Sequence, residues 1–246
     1  MLLAVDIGNS FTKLGVFDGD RLLARYSVPT DPHIPLDQFD AQFPAIGDHS
    51  VTDAIVSSVV PRFAQMLNAF LRSRNIRTIE VAEIEVDLGI DYSPPTAIGS
   101  DRLVNAAAAV EKYGAPVLVC SFGTATTIDV IGADKRLIGG IIAPGIRTAS
   151  EALTRNTAQL PEIDIKVPEM LIGNSTESAI RSGVVYGHVA MIEGLIDRVA
   201  EQLGSRPCVI GTGGYASLIA SMSDRISTVD ETLTLDGLRS LFYQNT

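Results

Sequence analysis

A segment of the first half of the chain recurs in the second half, and this repeat constrains the fold more than any other feature. The segment LLAVDIGNSFTKLGVFDGDRLL, from Leu2, aligns without a gap with VLVCSFGTATTIDVIGADKRLI, from Val117, so that Asp6 falls on Ser121. Each copy holds an apolar run, a turn of small residues, a second apolar run, a polar tip and a third apolar start. This order predicts a strand, a tight glycine loop, a hairpin and a third strand. Two copies predict a duplicated protein of two lobes with a cleft between them.

The rest of the chain extends each copy into a half of similar layout. Strand-like runs, residues 78–87 among them, alternate with helix-forming stretches such as residues 146–156, 175–203 and 233–245. The order of elements predicts an α/β protein in which mixed sheets are flanked by helices. We place the boundary before Ala115-Pro116, which gives predicted lobes of residues 1–114 and 115–246.

Composition excludes some classes of partner. A formal net charge of −10 argues against nonspecific binding to nucleic acid or to an anionic membrane surface. No leader and no apolar run long enough to span a membrane is evident, and Cys120 and Cys208 each lie in a strand-like apolar run. We therefore expect a cytoplasmic protein that binds neither nucleic acid nor membranes. The negative charge does not exclude phosphate ligands, because backbone amides and a metal ion can supply a positive field.

The turn of the first copy has the residue types of a nucleotide-phosphate site. Asp6 ends a buried strand, and Gly8, Asn9 and Ser10 follow it. Glycine lets the backbone approach closely, the amides and hydroxyls of the turn can donate to phosphate oxygens, and the carboxylate can hold Mg²⁺. A plain hairpin turn with an Asx cap explains the same residues, since the motif is short.

Two further glycine turns follow apolar runs. The stretch Gly123-Thr124-Ala125-Thr126-Thr127 stands where the repeat requires a second phosphate turn, and it offers three hydroxyls. The stretch Gly211-Thr212-Gly213-Gly214 precedes a helix, where a ribose or a flat ring could lie against the backbone. A threonine-rich strand and a tight strand-to-helix turn are the alternative interpretations of these two stretches.

The segment Gly99-Ser100-Asp101-Arg102 precedes a predicted helix. An adjacent acid and base at a helix start are usually a cap and a surface ion pair. The alternative is a catalytic base beside a cation that binds an anionic substrate, since a carboxylate accepts the hydroxyl proton when an alcohol attacks a γ-phosphate.

Together these motifs resemble the type III pantothenate kinases, a branch of the superfamily that includes acetate kinase, sugar kinases and actin. The order and spacing of the matches run from Met1 to the final helix. They are Asp6 to Ser10, Tyr92, Pro95, Gly99, Asp101, Arg102, Asn105, Ala106, Phe122 to Thr127, Gly139 to Gly145, Ile172 to Thr176, Ser182, Gly183, Gly187 and Gly211 to Gly214.

The resemblance implies duplicated ribonuclease H-like (actin-like ATPase) lobes and ATP-dependent phosphorylation of pantothenate, the first step toward coenzyme A. It implies Mg²⁺, a monovalent cation such as K⁺ or NH₄⁺, and a homodimer with its pocket near the interface. By resemblance Asp101 is the catalytic base, Asp6 holds Mg²⁺, and Tyr92, Gly99, Ser100, Arg102 and Thr176 bind pantothenate. The residues assigned to ATP are Asp6, Gly8, Asn9, Ser10, Lys13, Gly123, Thr124, Gly211, Thr212, Gly213 and Gly214.

One position departs from both the repeat and the family pattern. Ser121 stands where each expects an aspartate, and in the family that aspartate is linked to the monovalent cation. A neutral hydroxyl is a weaker ligand for K⁺ than a carboxylate, although backbone carbonyls, water or Asp129 could compensate. Three hypotheses follow: a working pantothenate kinase, another small-molecule kinase of the superfamily, and a catalytically weakened paralogue that acts as a binding or accessory regulator.

Overall fold

The computed structural model describes residues 1–43, 49–94 and 97–246, which form two compact units. The first unit comprises Met1–Leu88, Tyr92–Ala108 and Thr232–Thr246, and the second comprises Gly89–Asp91 and Ala109–Glu231. Each unit is therefore discontinuous in sequence, whereas the predicted lobes met at a single point between residues 114 and 115. The difference arises chiefly because the last helix packs on the sheet of the first unit.

The secondary structure follows the predicted alternation of strands and helices. The strands are β1 (Leu2–Ile7), β2 (Phe11–Asp18), β3 (Arg21–Pro29), β4 (Asp53–Ser58), β5 (Arg77–Glu80), β6 (Gly89–Ile90), β7 (Val117–Phe122), β8 (Ala125–Ile131), β9 (Arg136–Pro144), β10 (Cys208–Thr212) and β11 (Thr228–Val229). The helices are α1 (Leu36–Phe39), α2 (Pro61–Ser73), α3 (Ser100–Tyr113), α4 (Ile146–Asn156), α5 (Thr176–Leu203), α6 (Ala216–Ala220) and α7 (Leu233–Gln244). No helix of the described residues is long and apolar enough to cross a membrane.

The predicted strand over residues 78–87 was wrong in its second half. β5 ends at Glu80, and a 3₁₀ turn over Val81–Glu83 follows it. The turn buries Val81 against the first unit's sheet, so the alternating apolar residues of this segment pack without extending the strand. Residues 44–48 and 95–96, among them Pro95 of the family matches, lie outside the described residues.

The sheet of the first unit has the order β3-β2-β1-β4-β5, with β1 antiparallel to β2 and parallel to β4. Because side chains alternate along a strand, Leu3, Val5 and Ile7 face the layer formed by α2, while Leu2 and Ala4 face α7. Asp6 is the next residue on the α7 side. Both faces of β1 are thus buried, which explains its continuous apolar run.

The second unit repeats this topology. Its sheet has the order β11-β10-β7-β8-β9-β6, so β9-β8-β7-β10-β11 matches β3-β2-β1-β4-β5 strand for strand, with the same directions. β6 adds a short parallel strand beside β9. The prediction of an α/β fold with duplicated mixed sheets is confirmed.

Helix α5 covers one face of the second sheet. Val185, Val189, Ile192 and Ile196 recur at helical spacing and pack on the apolar face that includes Phe122. The helix begins after Ser175, whose side chain caps it by accepting a hydrogen bond from the Ser178 amide. It ends at Gly204, whose φ of +64° suits glycine.

Candidate active site

Asp6 lies near the end of β1, opposite Lys13 of β2 and Ser57 of β4. Its side chain is 7% exposed, and its buried Oδ1 has no hydrogen-bond partner among the described residues. Burial raises the pKa of Asp6 to about 6; the Lys13 ammonium opposes this shift, and the Asp101 carboxylate adds to it. A buried carboxylate oxygen without a partner is costly to the fold, so it is available as a ligand for a cation.

The turn after Asp6 closes through a hydrogen bond from the Gly8 amide to the Phe11 carbonyl, at 3.1 Å. Asn9 and Ser10 are exposed at its tip. The turn thus presents small polar residues to the solvent immediately beyond a buried carboxylate, as the phosphate-site interpretation requires.

Asp101 lies in the first turn of α3. The Ser100 hydroxyl lies 2.9 Å from the Ser57 hydroxyl, accepts from the Ser58 amide at 3.1 Å and donates to the Ser58 carbonyl at 3.2 Å. This hydroxyl therefore fastens the start of α3 to the end of β4, the parallel neighbour of β1. A Cβ on Gly99 would lie 2.6 Å from Asp101 Oδ1, so glycine leaves the space that the carboxylate occupies.

Arg102 and Tyr92 lie together in the first unit. The Arg102 side chain is only 8% exposed, and its guanidinium carbon stands 5.6 Å from the centre of the Tyr92 ring, within cation–π distance. Asn105, one turn further along α3, accepts a hydrogen bond from the Thr234 hydroxyl at 2.7 Å. Asn105 thus connects α3 to α7.

In the second unit, the turn between β7 and β8 is held by two hydrogen bonds from the start of α4. The Thr124 carbonyl accepts from the Gly145 amide at 3.0 Å and from the Thr148 hydroxyl at 2.7 Å. A Cβ on Gly145 would lie 2.5 Å from that carbonyl oxygen, so the close approach depends on glycine. The start of α4 therefore packs directly on the Gly123-Thr124 turn.

The glycine turn after β10 also packs against the β7–β8 turn, at Phe122. Gly213 has a φ of +93°, and a Cβ there would lie 2.6 Å from the Phe122 carbonyl oxygen. The Tyr215 amide donates to that oxygen at 3.3 Å. Gly211 and Thr212 lie on β10 itself. The second and third predicted motifs thus meet through their backbones within one unit.

Ser121 occupies the position in β7 that corresponds to Asp6 in β1. Its register partners are Thr127 and Thr212, which lie on the same face of the sheet. The Thr127 hydroxyl is buried without a hydrogen-bond partner in the described part of the chain, and Asp129 is fully buried two residues further along β8. The site therefore offers hydroxyl oxygens where the first copy offers a carboxylate.

Thr176 differs from the other predicted pantothenate residues in the unit to which it belongs. It is the exposed first residue of α5 in the second unit, whereas Tyr92, Gly99, Ser100 and Arg102 belong to the first. Thr176 lines an open, mostly apolar groove of about 730 Å³ between α4 and α5.

Several neighbours of the predicted site were missed from the sequence. They are Ser57, Thr148, Arg147, Tyr215 and His188. The Arg147 side chain donates to the Tyr215 hydroxyl, and His188 Nε2 lies 3.0 Å from the Thr126 hydroxyl. These residues belong to no local pattern, because their partners are between 24 and 68 residues away in the chain.

The duplicated sheet, with a glycine turn after the first strand of each copy, defines the architecture of the actin-like ATPases and sugar kinases. Solved structures agree on the fold. A conserved Baf family protein from Campylobacter jejuni aligns with a TM-score of 0.64 at 20% identity, covering 98% of both chains. An inorganic polyphosphate/ATP-glucomannokinase from an Arthrobacter species aligns with a TM-score of 0.51 at 16% identity, covering 99% of both chains.

Sequence comparison narrows the class to one family. The family model for type III pantothenate kinase matches residues 2–198. Type III pantothenate kinases from Geobacillus kaustophilus and Myxococcus xanthus are each 40% identical to this chain over its whole length, covering 98% and 99% of those proteins. The chain belongs to the type III pantothenate kinase family, and the predicted resemblance is confirmed.

Proposed function

We propose that the chain transfers the γ-phosphoryl group of ATP to the primary hydroxyl of pantothenate, which gives 4'-phosphopantothenate in the first step of coenzyme A biosynthesis. The observation that carries the proposal is the pair of carboxylates, Asp6 and Asp101, in a chain of this family. Asp6 keeps an unpartnered buried oxygen, and the Asp101 charge acts on it.

In this proposal the two carboxylates have different tasks. Asp101 accepts the proton of the substrate hydroxyl. At the same time the hydroxyl oxygen of the substrate bonds to the γ-phosphorus, and the bond from that phosphorus to the β,γ-bridging oxygen breaks. Arg102, fixed over the Tyr92 ring, binds the carboxylate of pantothenate. Gly99, Ser100 and Thr176 complete the proposed substrate set.

Asp6 fits the implied Mg²⁺ because one of its oxygens is buried without a partner. Among the described residues, no group of three or more histidine, cysteine or acidic side chains could hold a metal ion by itself. Proteins usually hold Mg²⁺ through one or two carboxylates together with substrate phosphates, so the single Asp6 carboxylate fits this ion. When bound, the ion neutralises charge on the phosphates. The remaining proposed ATP contacts are Gly8, Asn9, Ser10 and Lys13 in the first unit, and Gly123, Thr124, Gly211, Thr212, Gly213 and Gly214 in the second.

The monovalent cation fits its implied site less well. At Ser121 the nearest register partners contribute neutral hydroxyls, which attract K⁺ or NH₄⁺ more weakly than a carboxylate does. We propose a low cation affinity here. Ser121→Asp should tighten it, which is measured as the K⁺ dependence of ATP binding and, separately, of turnover. A variant whose K⁺ dependence matches the wild type contradicts this proposal.

Exposed apolar side chains in the second unit support the proposed homodimer. Leu171 is 65% exposed, Ile172 is 85% exposed and Ile142 is 60% exposed. Burial of such side chains against a second copy of the chain removes apolar surface from water and so stabilises a dimer. We propose that the pantothenate pocket lies near this interface and that the dimer is cytoplasmic, binding neither nucleic acid nor membranes. Sedimentation analysis of wild type and Ile172→Asp tests the dimer; a monomeric wild type overturns it.

A coupled assay of ADP formation tests the proposed function, with pantothenate as acceptor and K⁺ varied. Turnover that depends on pantothenate supports it. A chain that binds ATP but gives no turnover with any cation supports the alternative, a regulator that has lost catalysis, for which Ser121 is the specific observation. Turnover with another acceptor alone, in a panel of alcohols and sugars, supports a different kinase of the superfamily.

A further inference from the structure

Arg147 stands at the edge of the Gly123-Thr124 turn. It lies in the first turn of α4, between Gly145, whose amide donates to the Thr124 carbonyl, and Thr148, whose hydroxyl donates to the same oxygen. The position of its backbone relative to the turn is therefore fixed by a hydrogen bond on either side.

Tyr215 fixes the orientation of the Arg147 side chain. Arg147 Nε donates to the Tyr215 hydroxyl at 2.9 Å, and the Tyr215 amide donates to the Phe122 carbonyl at 3.3 Å. The two residues thus belong to the two segments that contact the turn, one after Gly145 and one after Gly213-Gly214. Their contact joins the two segments that hold the turn.

The contact leaves most of the guanidinium available. Arginine carries five N–H donors, and the Tyr215 hydroxyl occupies the one on Nε. The two terminal nitrogens make no hydrogen bond or ion pair within the part of the chain that the structure describes, and the side chain is exposed. A planar pair of N–H donors of this kind matches two oxygens of a phosphate group.

Two acidic residues near Arg147 compete with a ligand for the guanidinium. They are Glu151 and Glu162, both of which act on its charge. Glu151 forms an ion pair with Arg155 at 3.0 Å, one turn further along α4, so the charge of the Glu151 carboxylate is already partly balanced. Arg147 therefore keeps positive charge beside a turn in a chain whose formal net charge is −10.

We propose that Arg147, oriented by Tyr215, binds the phosphates of ATP at the Gly123-Thr124 turn. The proposal rests on the proposed function only in taking ATP as the ligand of this turn. Arg147 would then be a nucleotide-binding residue, and Tyr215 a positioning residue that acts through it.

Calorimetric titration with ATP and with adenosine, in the absence of pantothenate, tests the proposal directly. Arg147→Ala should weaken ATP binding by about tenfold or more, because it removes hydrogen bonds between charged groups, and should leave adenosine binding within about twofold. Tyr215→Phe should weaken ATP binding less, and it should add little once Arg147 is alanine, since the two act as one unit.

Arg198→Ala is the matched control, since it removes the same charge from an exposed position on α5 in the same unit. It should leave ATP binding unchanged. The proposal is overturned if Arg147→Ala binds ATP within about twofold of the wild type, or if ATP and adenosine lose affinity equally, which would indicate a structural role or contact with the base. Wild-type turnover of pantothenate is measured in parallel. A wild type that binds ATP without turnover contradicts the proposed function alone, and one that binds no ATP contradicts both.

Discussion

Replacing Asp101 by asparagine tests the proposed base at the scale of one atom. The amide has the same shape as the carboxylate but cannot accept the hydroxyl proton, so we expect kcat to fall by about 10²–10⁴. The fold should be retained, because the Ser100 hydroxyl, not Asp101, fastens α3 to β4. Steady-state kinetics and a thermal melt provide the measurement, with the exposed Asp18→Asn as the matched control. A near-normal kcat in Asp101→Asn would show that Asp101 is not the catalytic base.

Asp6 gives a second prediction, on stability. Its pKa is about 6 in the folded chain, against 3.8 for an unperturbed aspartate, so the folded state binds the proton more tightly. Stability from this group is therefore complete below pH 3.8 and is lost as the pH rises through 6. Without Mg²⁺, Asp6→Asn should be more stable than wild type at pH 7.5, by up to about 3 kcal/mol, and the difference should shrink toward pH 4.

Urea unfolding in EDTA at several pH values measures this difference. Magnesium ATP should make wild type more stable than Asp6→Asn, because the ion stabilises only the carboxylate form. A gap between Asp6→Asn and wild type that does not change with pH would show that burial of the charge is not its cause.

The sequence nominated candidate site residues where a turn requires a particular residue type. Asp6 and Gly8 follow from the strand and glycine turn, and Gly99 and Asp101 follow from the family pattern. Arg147 was not predictable, because its partner Tyr215 is 68 residues distant and the contact depends on two loops that meet on a third. The positions of Gly145 and Gly213 explain why those loops can meet.

At the scale of elements, the gapless repeat conceals two compensating changes. In the first copy Ile7 pairs with Thr12, and in the second Phe122 pairs with Thr126, so the Gly123-Thr124 turn is one residue shorter than the turn after β1. The following turn is one residue longer, since Phe17 pairs with Leu22 but Ile131 pairs with Leu137. A shift in strand register then follows at the corresponding place in both hairpins. The third strands of the two copies therefore align in sequence without a gap. A sequence offset could not reveal this, because the two changes cancel.

Helix α5 supports the Gly123-Thr124 turn through His188, and this contact gives a pH prediction. The His188 ring lies 3.0 Å from the Thr126 hydroxyl and edge-on to Phe122, so it contacts the turn before and after Gly123. Burial lowers the pKa of His188, so the folded state favours the neutral ring. Its contribution to stability is present above the unfolded pKa, about 6.5, and is lost as the pH falls below it.

The uncharged variant His188→Gln should therefore lose less stability than wild type between pH 7.5 and pH 5.5. Urea unfolding of both proteins at the two pH values measures this difference in stability. The comparison with wild type is needed because Asp6 contributes the opposite pH dependence of stability to both proteins. His33→Gln, an exposed replacement in the first unit, is the control. Equal loss in wild type and His188→Gln would contradict a buried neutral imidazole.

At the scale of the whole molecule, the first unit is closed by the last helix of the chain. Leu235, Leu238 and Leu241 of α7 pack with Leu2 and Ala4 of β1. A Cβ on Gly237 would lie 2.8 Å from the Ala108 Cβ, so α7 passes close to α3. The sequence predicted an amphipathic helix here but not its partner, because an apolar stripe carries no record of the sheet that it covers. For that reason the predicted division at residue 115 assigned α7 to the second lobe.

Truncating one side chain of α7 tests this closure. Leu238 is fully buried, and Leu238→Ala should lower the free energy of unfolding by about 2–5 kcal/mol, the range for deleting a packed leucine side chain. Because the same helix covers the strand that carries Asp6, magnesium ATP binding should weaken as the first unit opens. Tyr243→Ala, 49% exposed on the same helix, should change neither quantity. Urea unfolding followed by far-ultraviolet circular dichroism measures the stability of both variants. Equal losses would contradict the arrangement, since of the two side chains only Leu238 packs in the sheet's apolar layer.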